Sequence, residues 1–294
     1  MTTGKKIKKL RAEKMMTQSQ LVGDHITRNM LSRIESDEAN PSLGTLIYLA
    51  KRLNVPPGYL LANEKEDELY EKSFALDGIK LAYKSGSYKI CRQLCMDYDG
   101  FDDEIVMIAA HASFYLAVEE FNKGNLKRAV VYFDEAISFD AHTTYYTEHI
   151  RAQACMYLRY MGRFSQNLSS SVIDENSVEY FCAMSNDFCR YIYAIECVEN
   201  SHMSFANSLV ANGEREDPTI LHIGAKLDML HGNYRLAIIK LQQALNNNRA
   251  IGRPVLYSVF ADLEECAKAT NDFRAAYEYA TTKMDLLQKM LSDE

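Results

Sequence analysis

The chain has 294 residues, 47% hydrophobic and 25% charged, the composition of a globular protein of about two domains. No apolar run reaches the ~18 residues needed to cross a bilayer. The first sixteen residues carry six Lys or Arg and no apolar stretch, so neither a membrane span nor a secretory signal is read and a cytoplasmic location is expected. The net charge of −7 is uneven: residues 1–62 hold ten Lys or Arg against five acids, so this head is +5 and the remaining body is −12. A basic head on an acidic body fits a head that meets phosphates and a body that does not.

Helical periodicity divides residues 4–62 into five short helices. Ile7 and Leu10 mark the first. Thr17 caps a second that turns Leu21 inward and leaves Gln18 and Gln20 outside. Thr27 caps a third, with Leu31 and Ile34 inward and Arg28, Asn29, Ser32 and Arg33 facing solvent. Asn40-Pro41-Ser42 caps a fourth through Leu46, Leu49, Ala50 and Leu53, and Pro56-Pro57 starts a fifth that ends near Leu61. Two short helices joined by a tight turn, the second bearing Arg, Asn, Ser and Arg, suit insertion of that second helix into the major groove of double-stranded DNA. Gln18, Thr27, Arg28, Asn29, Ser32 and Arg33 are the expected DNA-binding residues.

With "LRAEKMMTQSQL", "SRIES", "NPSLGTL" and "AKRLNVPPGYLL" at these spacings, the segment resembles the Cro/repressor-type helix-turn-helix family. Two departures stand out. The span from Thr17 to Glu35 is one residue shorter than in many phage repressors, which predicts a tighter turn around Asp24–Ile26. Asp37 stands where that family often has Gly, and Asp tolerates a left-handed backbone.

Residues 63–72, charged and free of Pro and Gly, are expected to be a helical linker rather than a flexible tether. Over 73–294 a repeat appears, most regular in "GNLKRAVVYFDEAISFD" and "GNYRLAIIKLQQALNN". Each copy has a turn residue (Gly86, Gly124, Gly162, Ser201, Gly232, Asn271), then a large apolar residue two places on, and usually Ala three beyond that. These segments resemble tetratricopeptide repeats: about six helix hairpins and a C-terminal capping helix, stacked as a right-handed superhelix. The fold class is therefore all-α, an N-terminal five-helix domain followed by tetratricopeptide-like hairpins. Seven cysteines, with no Cys-x-x-Cys pair and no zinc spacing, read as reduced core thiols; Cys182, Cys189 and Cys197 recur at about two turns, as on one buried face.

Projecting the repeat register puts His111, Phe114, Val118, Asn122, Gln153, Met156, Arg159, Tyr191, Ile195, His222, Lys226 and Met229 on or near the concave wall, where such stacks hold extended peptides. Asn122 and Gln153 are amides suited to pairing with peptide backbone, and Arg159 and Lys226 are suited to a carboxylate. Met156, Tyr191, Ile195 and Met229 would form apolar pockets.

No phosphate-cradling glycine loop, Ser/His/Asp spacing or His-Glu-x-x-His is present, so an enzyme, a metal site and a cofactor are not expected. A Cro-like head on five or six such repeats resembles the RRNPP-type peptide-pheromone-responsive transcriptional regulators, nearest the PlcR-like and Rgg-like ones. That resemblance implies a homodimer on a two-half-site operator, a short signalling oligopeptide as ligand, and quorum-sensing control of transcription. The alternative is an adaptor whose repeats bind a folded protein while the head tethers it to DNA. The last hairpin and the terminal segment "TTKMDLLQKML", with Met284, Leu287, Met290 and Leu291, are the candidates for the dimer contact, with capping of the superhelix as their alternative role.

Overall fold

A computed structural model describes residues 1–99, 102–147, 149–165, 183–247 and 251–292, and among them every regular element is helical. The chain divides into two units, Met1–Lys80 and Leu81–Glu294. The first unit holds α1 (Thr3–Glu13), α2 (Gln18–Val22), α3 (Arg28–Glu35), α4 (Leu43–Leu53) and α5 (Pro57–Leu61), and most of α6 (Glu64–Lys84). The starts of α2, α3 and α4 follow from their caps. Thr17 accepts from Gln20 N–H while the Gln20 side chain accepts from Thr17 N–H, and Thr27 and Ser42 accept from Met30 and Thr45 N–H. Ile7, Leu21, Leu31, Ile34, Leu46, Leu49, Leu53 and Leu60 are buried together as this unit's core.

The segment 63–72, expected as a linker, is the beginning of α6, and the unit boundary falls inside that helix. Lys6 fastens α6 to α1. Its ammonium is buried, donates to the Tyr59 carbonyl at 3.0 Å and the Ala62 carbonyl at 2.7 Å, and also bonds the Asp67 carboxylate. Tyr59 packs edge-on against Tyr70 and Phe74 at the same junction.

The second unit continues with α7 (Tyr88–Asp97), α8 (Asp103–Lys123), α9 (Leu126–His142), α10 (Ile150–Met161), α11 (Asp187–Glu199), α12 (Met203–Asn212), α13 (Pro218–Leu230), α14 (Tyr234–Asn246), α15 (Arg253–Ala269) and α16 (Phe273–Leu291). The repeat motif sets these hairpins. Gly86, Gly124, Ser201, Gly232 and Asn271 all have positive φ, and the apolar residues Tyr88, Leu126, Met203, Tyr234 and Phe273 are each the first residue of the following helix. Ala129, Ala206, Ala237 and Ala276 are buried, where the absence of a longer side chain lets paired axes approach. Gly162 departs from this pattern with φ −56°, and the chain beyond Ser165 in that repeat lies outside the described residues, as does Cys182.

The last hairpin returns onto the second. α15 and α16 pack on α8 and α9. At Gly124 (φ +84°) an added Cβ would come within 2.8 Å of the Arg253 side chain and 3.0 Å of Met290, so this turn is read by both helices of the last hairpin. Met290 is buried in that contact, and Leu287 and Leu291 pack against the same core. On the outer side of α16, Phe273, Tyr277 and Met284 are exposed. Of the four apolar residues expected at a dimer contact, Met284 is thus on the outer face, while the other three belong to the repeat core.

Candidate functional site

The α2–α3 pair is held by one buried carboxylate. Glu35, at the end of α3, accepts from Arg11 Nε at 2.7 Å and from Arg11 NH2 at 3.0 Å, and also from Gln18 Nε2 at 2.9 Å. Its side chain is 4% exposed and that of Arg11 is 16% exposed. The Glu35 hydrogen bond and charge raise the Arg11 guanidinium above its ordinary value against the opposing effect of burial. Arg11 also donates to the Met16 carbonyl at 2.8 Å, so α1, α2 and α3 share one cross-link. Gln18 passes it on, because its Oε1 accepts from Arg28 Nε at 3.4 Å.

The turn is fixed by Gly23, at φ +51° and ψ −132°, a backbone region closed to residues with a Cβ. A Cβ there would lie 2.5 Å from the Tyr48 hydroxyl, which itself donates to the Val22 carbonyl at 3.0 Å. His25 stacks on Tyr48 at 4.2 Å, and Arg52 donates to the Gln20 carbonyl. Asp37 has φ +62°, the left-handed conformation expected of it, and its carboxylate accepts from the Thr2 hydroxyl at 2.7 Å. What remains outward on α3 is Arg28, Asn29, Ser32 and Arg33, all exposed, with Thr27 at the helix N-terminus. Arg33 lies 4.0 Å from Glu38, a weak exposed pair that leaves it able to turn to another anion.

In the second unit, a polar chain crosses four helices. Tyr160 of α10 bonds Ser258 of α15 at 2.7 Å. The Tyr191 hydroxyl of α11 meets His222 Nδ1 of α13 at 2.8 Å, and His222 Nε2 meets Asp262 Oδ2 of α15 at 2.8 Å. A carboxylate only accepts, so Nε2 donates to Asp262. Lys226 Nζ closes the chain 2.9 Å from the other Asp262 oxygen. Burial pushes the Asp262 carboxyl up, but the bonds and charges of His222 and Lys226 outweigh it and hold the group below its ordinary value. Burial raises the Tyr160 and Tyr191 hydroxyls. Around this chain is a cavity of about 180 Å³, walled on its apolar side by Phe164, Ile195, Tyr257 and Ala261 and rimmed by Arg163 and Glu199.

The family model described as Helix-turn-helix matches residues 7–60. Residues 7–60 are a helix-turn-helix domain. No curated protein sequence matches the chain. Among solved structures, the chain is similar to Bacillus thuringiensis PlcR in complex with the peptide PapR7 and DNA, at 17% identity over 98% of this chain and 96% of that one, with a TM-score of 0.27. It is also similar to the Streptococcus dysgalactiae SHP pheromone receptor Rgg2, at 15% identity over 96% and 99% with a TM-score of 0.23. A third is ComR of S. thermophilus in complex with DNA and its signalling peptide ComS, at 18% identity over 97% and 99% with a TM-score of 0.24.

Within the helix-turn-helix domain, all six residues expected at DNA lie on α2 and α3 or at the cap of α3, although Gln18 is partly engaged with Glu35. Of the twelve expected on the concave wall, Tyr191, Ile195, His222 and Lys226 come together around the cavity. Arg159 stands beside it, paired with Glu196 at 3.0 Å. Phe114, Met156 and Met229 are buried in the repeat core, and Val118 packs on it. Gln153 is buried and accepts from Asn186 Nδ2 at 3.2 Å. His111 is half-buried against Tyr115 and Tyr83, and Asn122 is exposed beside Gly252.

Arg163, Glu199, Tyr257, Ser258 and Asp262 also line the cavity and are absent from the sequence projection. One signal was there to find them. Tyr191 and His222 each precede their turn residue by ten positions, and the same offset before Asn271 lands on Ala261, next to Asp262.

Proposed function

We propose that the protein is a cytoplasmic DNA-binding transcriptional regulator, not an enzyme, whose repeat unit binds a short signalling peptide that controls DNA binding or output. The observation that carries the DNA half is the exposed Arg28, Asn29, Ser32 and Arg33 face of α3, held by the Arg11–Glu35–Gln18 cross-link inside the helix-turn-helix domain. Arg and Asn at the N-terminal end of a groove-inserted helix bond base edges two atoms at a time, which is where sequence is read. One such head makes too small a footprint for a useful preference over bulk DNA, so the active form is a homodimer on two half-sites. The exposed Phe273, Tyr277 and Met284 on α16 support that assembly.

The peptide half is supported by the hairpin stack and by a cavity that joins Tyr191, Ile195, His222 and Lys226. A space of about 180 Å³ is below the ~300 Å³ at which drug-sized pockets begin, so it takes one residue of the peptide and the rest lies across its mouth. Selection of duplexes from a random-sequence pool, with and without a synthetic heptapeptide pool, tests both halves. A paired motif should be enriched, its recovery should change with peptide, and the triple Arg28, Asn29, Arg33→Ala variant should lose it. Recovery of the same motif by the triple variant sinks the α3 assignment; recovery indifferent to every peptide sinks the sensing role.

A further inference from the structure

We propose that Glu199 is an internal stand-in for a ligand carboxylate, and that a peptide enters the cavity by its C-terminal residue, expelling Glu199 from Arg163. This rests on the peptide reading given above and adds the chemistry of its recognition. Arg163 grips Glu199 through two parallel bonds, NH1 to Oε1 at 3.2 Å and NH2 to Oε2 at 3.0 Å. That fork fits the two oxygens of any carboxylate and is not particular to a glutamate. Lys226 Nζ is 3.9 Å from the same Glu199, beyond hydrogen-bond range, while it bonds Asp262 at 2.9 Å. It is therefore poised to tighten on a carboxylate set slightly deeper than that of Glu199.

Charge balance decides between addition and exchange. Around the cavity Arg159, Arg163 and Lys226 face Glu196, Glu199 and Asp262 in connected pairs. A ligand carboxylate added to this set leaves an uncompensated anion in a partly desolvated place, whereas exchange for Glu199 keeps the balance. Only Glu199 is free to leave. Asp262 is 6% exposed and bonded on both oxygens, and Glu196 is 11% exposed and paired with Arg159. Glu199 is 42% exposed and is the last residue of α11, two places before the positive-φ turn at Ser201. Rotating it into water gives up its pair with Arg163 and the looser one with Lys226 at 3.9 Å. Phe164, Ile195 and Tyr257 then offer apolar walls to the side chain of the residue whose carboxylate Arg163 has taken.

The test uses the full-length protein and a heptapeptide pool of random sequence ending in Leu, prepared as the free acid and as the C-terminal carboxamide, with binding read by equilibrium dialysis. The free acid should be retained at least about tenfold more than the carboxamide, a coupling of ordinary size for such a contact. Glu199→Gln should increase retention of the free acid and leave the carboxamide unchanged, and Arg163→Ala should erase the difference between the two. Equal retention of acid and carboxamide overturns the inference while leaving peptide binding intact. So does a Glu199→Gln protein that holds the free acid no better than the parent. If neither pool is retained by any of the three proteins, the peptide reading falls and this inference falls with it.

Discussion

The helix-turn-helix unit and the repeat unit solve the same problem, orienting a few polar side chains on short helices, with opposite means. In the first, the starts of α2, α3 and α4 are specified by their own capping residues, Thr17, Thr27 and Ser42, and one carboxylate, Glu35, ties three helices together. Its candidate DNA-facing side chains on α3 point outward and are exposed. In the second, caps are less regular. Ser87, Asn125, His202 and Asn233 stand before their helices without a side-chain cap bond, and the small alanines and positive-φ turns carry the geometry. There the polar side chains point inward and bond one another from helices far apart in sequence, Tyr191 to His222 and His222 to Asp262. An outward face can change residues with small effects on stability. An inward network cannot, because each member is the partner that keeps another from being buried unpaired.

That contrast predicts its largest effect at Asp262. Asp262→Ala leaves buried His222 and Lys226 without their acceptor and should cost about 3–5 kcal/mol, the usual penalty for breaking a buried pair. Hydrogen exchange should show the lost protection along α10, α11, α13 and α15, with α1–α4 unchanged. The same carboxyl gives a pH test. Its folded-state value is below the ordinary one, so its stabilisation is present above the ordinary aspartate range and lost as pH falls through the folded value. The stability of the repeat unit, followed by probes within it, should fall in acid below that range, and the Asp262→Asn protein should show a smaller acid slope. A network as replaceable as the outer face would show neither.

Next in size is Glu35, an inward group of the first unit. Glu35→Ala removes the acceptor of Arg11 and Gln18 and should cost about 1.5–3 kcal/mol, the range for bonds to charged groups. It should also weaken DNA binding, since α2 and α3 lose their common tie. Gly23→Ala should follow at about 1–3 kcal/mol for a Cβ forced into that backbone region, compounded by the Tyr48 hydroxyl. Thermal unfolding of Gly23→Ala beside Gly86→Ala separates the two causes, because Gly86 also has positive φ but an added Cβ there has no neighbour within 4 Å. The smallest effect belongs to Thr27→Ala, about 1 kcal/mol for a lost helix cap. If Thr27→Ala proves costlier than Asp262→Ala, the contrast between the two units is wrong.

Much of this was legible in the sequence because it depends on residues within a turn or two of each other. Thr17, Thr27 and Ser42 cap helices wherever an unpaired N–H lies two or three residues on, so the boundaries of α2, α3 and α4 follow from local chemistry alone. The left-handed Asp37 and the turn residues Gly86, Gly124, Ser201, Gly232 and Asn271 were readable for the same reason: backbone conformation is chosen by the residue that must adopt it. The all-α class and the outward face of α3 come from periodicity, which is also local. The cavity was not legible in that way. Register indicated which helix faces turn inward, and so brought Tyr191, His222 and Lys226 into view. Whether an inward residue lines a space or fills the core, as Met156 and Gln153 do, depends on what the opposite helix presents. Asp262 meets His222 across 40 positions of sequence, and Ser258 meets Tyr160 across 98, because α15 folds back onto the earlier hairpins. That return is set by packing summed over many helix pairs, and no single residue or spacing encodes it.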